Sequence, residues 1–103
     1  MPRSSVAEVR YHMLKLACGM VDRAQNGEGS CDNGELIWHS AGGFGKAAAA
    51  CGLPGLSERT CDRYLRRLEA DGFARRVGRG RYALDKQRIF DAFVEAQAVW
   101  RGR

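Results

Sequence analysis

No apolar run in the 103-residue sequence approaches the roughly 20 residues that a membrane-spanning helix requires, so a membrane partner is not expected. The opening M-P-R-S-S leads straight into an amphipathic pattern with charges inside it. No signal-peptide apolar region is present, and the chain is expected to stay in the cytoplasm. Metal chemistry is equally short of material. Cys18, Cys31, Cys51 and Cys61 form no C-x-x-C pair, and neither His12 nor His39 has a second ligand at finger spacing, so no metal site is expected. Cys18, Cys51 and Cys61 read as small buried apolar residues in helices, and Cys31, in a polar stretch, as an exposed thiol. The glycine cluster G-G-F-G-K lacks what a phosphate-binding loop needs: Ser40 stands where the first glycine should be and Ala47 where the magnesium-binding hydroxyl should be. No catalytic dyad stands out, and neither an enzyme nor a cofactor is expected.

An apolar fraction of 45% with 28% charged residues is that of an ordinary globular protein, and the length suits one domain spanning residues 1–103. The net charge of +5 fits a nucleic-acid partner.

Residues 6–25 read as a long helix. Val6, Val9, Met13, Leu16, Ala17, Met20 and Ala24 form one stripe, which Leu14, Cys18 and Val21 widen beyond a single face. So broad a girdle must meet more than one element. Ser5 and Glu8 make a capping box at its start. Residues 26–34 read as a polar, glycine-rich connector that can be mobile. E-L-I-W-H, residues 35–39, reads as a short strand alongside a later hairpin, with Trp38 closing one edge of the core. Residues 44–51 form a short alanine-rich helix ended by Gly52, with Lys46 in its first turn. After the hairpin, Asp85 caps a helix from Lys86 to about Trp100. Its apolar face includes Ile89, Phe90, Phe93 and Trp100. Two broad apolar helices at the ends of so short a chain favour a homodimer seam through Leu14, Cys18, Ile89, Phe90, Phe93 and Trp100; the alternative is that they fold on each other within one chain.

The stretch Leu56–Leu84 carries the charge. Ser57 is an N-cap with Glu58 in the first turn, Leu56 and Cys61 stand at hydrophobic-staple positions, and Gly72 supplies the left-handed stop. Cys61, Tyr64, Leu65 and Leu68 make the buried stripe of that helix. Arg59, Thr60, Arg63, Arg66 and Arg67 occupy the opposite arc, with Glu58, Asp62 and Glu69 gathered on a flank. Such a segregated arginine face repels itself unless something anionic meets it, and a DNA backbone with its guanine edges is the natural candidate. A hairpin follows, with Phe73, Val77, Tyr82 and Leu84 expected inward and Arg79-Gly80 at the tip, so Arg75, Arg76, Arg79 and Arg81 cluster on it. From Arg59 to Arg81 eight arginines face three acids, and the net +5 there equals that of the whole chain.

L-S-E-R-T-C-D-R-Y-L-R-R-L-E-A-D-G-F followed by R-R-V-G-R-G-R-Y resembles the recognition helix and wing of the winged helix-turn-helix family of small bacterial, archaeal, plasmid and phage DNA-binding proteins. The similarity covers residues 6–84, although the G-L-P-G-L connection is longer than the family's usual glycine turn. The resemblance implies a mainly α fold with a small β-sheet, a recognition helix at 57–71 in the major groove, and a wing at 73–84 on backbone or minor groove. The supporting helix would bring Lys46 to a phosphate. By resemblance Ser57, Arg59, Thr60 and Arg63 match base-facing or nearby phosphate-facing positions, Arg67 a backbone position and Arg79 the wing tip. The expected function is sequence-specific binding of double-stranded DNA by a nucleoid-associated homodimeric repressor. A plasmid-partition or replication-initiation protein, which would also recruit a protein partner, is an alternative. So is a protein-interaction module whose arginine face meets an acidic partner.

Overall fold

The structure is a computed structural model that describes residues 6–40, 48, 52–53 and 55–101. These form α1 (Val6–Gln25), β1 (Gly29–Asp32), β2 (Glu35–His39), α2 (Glu58–Ala70), β3 (Ala74–Gly78), β4 (Arg81–Leu84) and α3 (Lys86–Arg101). The four strands make one antiparallel sheet in the order β1-β2-β4-β3. The chain is therefore mainly helical with a small sheet. Ser5, Lys46 and Cys51 lie outside the described residues, as does the alanine-rich helix expected at 44–51 apart from Ala48, which is helical and buried. No helix among the described residues is long and apolar enough to cross a membrane.

α1 is the axis of the core. Tyr11, Met13, Leu14, Leu16, Ala17, Met20, Val21 and Ala24 are all buried, and α3, α2, β1 and β2 all pack against it. Its wide apolar girdle is thus covered from several sides within one chain. This corrects the expected place of Leu14 and Ile89 in a dimer seam. Leu14 and Ile89 are both 0% exposed inside a single chain, Tyr11 and Phe93 stack at 5.6 Å, and Cys18 and Phe93 pack half-buried on the same core. The α1–α3 seam is intrachain because a central helix needs a cover on every side, and the last helix supplies one. Phe90 remains exposed and Trp100 half-exposed.

Residues 26–34 are not simply a connector. β1 pairs with β2 through a two-residue turn at Asn33-Gly34, both residues taking positive φ (51° and 80°), as a mirror-image hairpin turn demands. Asn-Gly is the strongest short hairpin signal there is, yet the polar composition around it masks the strand. Gly29 begins β1 where the chain crosses the end of α1. A Cβ there would collide with the Ile37 carbonyl oxygen and come within 2.8 Å of Ala24 Cα, so no side chain fits. The 35–39 strand does lie beside the hairpin, through β4. With β1 on its other side it is an inner strand, and Trp38, 0% exposed, belongs to the middle of the core rather than its edge.

Phe73, Tyr82 and Leu84 are buried as expected, but Val77 is 44% exposed. The pairing explains the difference. Arg76 faces Tyr82 and Gly78 faces Arg81, so Val77 is the extra residue of an irregularity and drops out of the inward alternation. At the tip, Arg79-Gly80 spans the Gly78–Arg81 pair, with Gly80 at φ 68°.

Candidate nucleic-acid interface

α2 is bounded as its sequence anticipates. Ser57 has extended backbone, its Oγ accepts from Thr60 N at 3.2 Å, and its hydroxyl donates to Thr60 Oγ1 at 2.9 Å. Both hydroxyls are therefore engaged in the cap. At the other end Phe73 N donates to Leu68 O and Gly72 N to Glu69 O, with Gly72 at φ 82°. This pair of bonds is a Schellman stop, and its apolar clasp, Leu68 to Phe73, lies in the core. Cys61, Leu65 and Leu68 face inward, leaving Arg59, Arg63, Arg66 and Arg67 exposed.

The charges are less segregated than the helical wheel suggests. Arg66 pairs with Asp62 at 3.2 Å and Arg67 with Asp71 at 3.4 Å, both across one helical turn. On the hairpin, Arg75 meets Glu35 at 2.8 Å. All three pairs are largely solvent-exposed, where such contacts contribute about 0–1 kcal/mol, so opening them would cost little. Among the described residues Arg59, Arg63, Arg76, Arg79 and Arg81 take part in no ion pair. α2 thus offers two uncompensated guanidinium groups and the hairpin three.

Contacts invisible in the sequence set these elements in place. Arg88 of α3 donates to Asp71 O at 2.9 Å and lies 5.2 Å over the Phe73 ring, placing a cation on the carbonyl end of α2 as the helix dipole favours. Arg10 of α1 covers the same ring at 5.9 Å. Ser40, just after β2, donates from both N (2.7 Å) and Oγ (3.0 Å) to Gly80 O and so ties down the hairpin tip. These partners lie tens of residues apart, and no local spacing announces them. Arg88 and Ser40 are positioning residues that sequence reasoning missed.

Burial, and secondarily Glu58, pushes the Cys61 thiol above its ordinary value of 9.0. Burial also raises Tyr64, with Arg63 opposing. The folded state favours the neutral thiol, so its contribution to stability is complete below pH 9.0 and is lost as pH climbs through the raised folded value. Denaturant melts followed from pH 8 upward are expected to show falling stability that Cys61→Ala partly flattens; an identical decline in the variant would refute this. Cys31 is exposed, as expected, although on β1, and Cys18 is half-buried.

His39 meets Ser30 at 3.2 Å on the outer side of the sheet, and His12 lies in α1. Among the described residues no cluster of three His, Cys, Asp or Glu could hold a metal ion. What the arrangement can do is present an array of guanidinium groups, on a helix and a hairpin braced against one core, to an extended anion. No family model, curated protein or solved structure matches the chain.

Proposed function

We propose that the chain is a winged helix-turn-helix protein that binds duplex DNA in a sequence-specific manner, acting as a transcriptional repressor. The observation that carries this reading is the coupling of α2, with Arg59 and Arg63 uncompensated, through a Schellman turn to a hairpin tipped by Arg79-Gly80. The pairing of β2 with β4, which makes the hairpin the edge of a larger sheet, also supports it. In this reading α2 enters the major groove and the hairpin follows the backbone or an adjacent minor groove.

Arg63, exposed and uncompensated midway along the helix, reads guanine, its guanidinium bonding O6 and N7 together. Arg59, Arg76 and Arg79 hold phosphates. Ser57 and Thr60 contribute mainly by fixing the helix start, since their hydroxyls bond each other. A two-fold dimer would place half-sites about 10 bp apart or at a multiple of that. Because Leu14 and Ile89 are spent on the intrachain core, its seam would use the exposed side of α3, where Phe90, Val94 and Val99 stand.

The test is binding of the purified protein to genomic fragments, sequencing those retained, followed by titration of a retained site and random duplex across a salt series. Arg63→Ala is expected to lower affinity for the retained site by ~1–3 kcal/mol while leaving random duplex nearly unchanged. Arg79→Ala should weaken both and flatten the salt slope by about one unit. Equal losses on both duplexes for Arg63→Ala would remove its reading role. A salt-independent, micromolar response of the intact protein would instead favour an acidic protein partner. Retained fragments holding arrays of repeats would favour a partition or replication role.

A further inference from the structure

A second cavity lies at the junction of α1 and α2 and shares Arg67 with the arginine face. Val6, Val9, Arg10 and Met13 from the first turns of α1 and Arg67 from the last turn of α2 line a cavity of about 180 Å³. Met13 is 2% exposed and forms an apolar floor, whereas Val6 and Val9 are 80% and 36% exposed. An apolar cavity of about 150 Å³ takes one benzene ring, so the space suits a single ring or a short aliphatic chain.

Arg10 makes no ion pair among the described residues; it lies 5.9 Å over the Phe73 ring and also borders a neighbouring groove lined by Asp85, Asp91 and Glu95. Arg67 has one acid, Asp71, with Nε to Oδ2 at 3.4 Å in a pair that is largely exposed. Two cations therefore border this space, and among the described residues the one ion pair made by its lining is Arg67 with Asp71. Opening an exposed pair costs little, and a guanidinium fork matches a carboxylate in geometry as well as charge.

We propose that this cavity binds a small monocarboxylate with an apolar body, the body resting on Val6, Val9 and Met13 and the carboxylate held by Arg10 and Arg67. Occupancy would link the last turn of α2 to α1 through a shared anion, in the manner of an effector. The site stands on its own lining and charge and does not rest on the DNA-binding reading.

Amide resonances of the full chain, followed during titration with benzoate, test it. Saturable shifts are expected at residues 6–13 and in the last turn of α2. Benzamide, which keeps the ring and loses the charge, should bind about tenfold more weakly, as should benzoate to Arg10→Gln or Arg67→Gln. Arg67→Lys should retain more affinity than Arg67→Gln, and Lys86→Gln, which removes a distant cation, should bind as the parent does. Each variant is checked for an unchanged thermal melt, so a loss of fold is not read as a loss of binding. Absence of saturation at millimolar benzoate, equal binding of benzamide, or indifference to both arginine substitutions would overturn the proposal.

Discussion

Leu14→Ala is expected to lower the unfolding free energy by about 2–5 kcal/mol, and by the same amount at every protein concentration. Leu14 is fully buried on α1, in one core with Ile89 of α3 and Trp38 of β2. Removing its branched end deletes apolar contacts and leaves a void that this central helix, held from several sides, cannot collapse to fill. For a domain of this size the melting temperature should fall by roughly 10–30 °C. Independence of concentration is the sharper part of the expectation. A seam between subunits would make stability rise with protein concentration by mass action, whereas an intrachain seam does not. A loss below about 1 kcal/mol, or a difference from the parent that changes with dilution, would contradict the placement of Leu14.

The triple variant Arg59→Ala, Arg76→Ala, Arg79→Ala is expected to reduce the slope of log affinity against log salt by about three units, because each phosphate contact contributes roughly 0.9. Taken between 1 M and 0.1 M salt, three contacts amount to a loss of about 500-fold in affinity at the lower salt. These three are chosen because none of them is paired with an acid among the described residues, so their removal unmasks no carboxylate. Arg66, Arg67 and Arg75 should each do less, since part of their charge is already answered by Asp62, Asp71 and Glu35. A triple variant that keeps the parental slope would place the DNA, if DNA is bound, on some other surface.

Much of the local structure was legible because its causes are local. Ser57 caps α2, Gly72 stops it and Asp85 Oδ1 accepts from Arg88 N at the start of α3, each through bonds spanning only a few residues. The buried stripe of Cys61, Leu65 and Leu68 follows from helical spacing alone. The same reasoning misread Val77, since strict alternation holds only in a regular strand and the Arg76–Gly78 irregularity shifts the phase. It also passed over β1, whose strand residues G-S-C-D have little β propensity and are held by pairing with E-L-I-W.

In the candidate interface, the identity of the arginines and the element each stands on could be read directly. Which of them are answered by acids could not. A helical wheel put Asp62 and Arg66 on different sectors, but they are one turn apart and long side chains close that gap. Arg75 finds Glu35 because two strands are brought into one sheet across 40 residues of sequence, and Arg88 reaches the end of α2 in a similar way.

The stretch from Leu56 to Leu84 therefore carried by itself a capped helix, its stop, a glycine-tipped hairpin and most of the chain's excess of positive charge, since these depend on neighbours within a few residues. Tertiary structure decided where the apolar surplus of the terminal helices goes, which arginines stay uncompensated, and that Arg10 and Arg67 border a common cavity. Those outcomes rest on contacts between segments distant in sequence, whose geometry is set when the sheet and α3 close around α1.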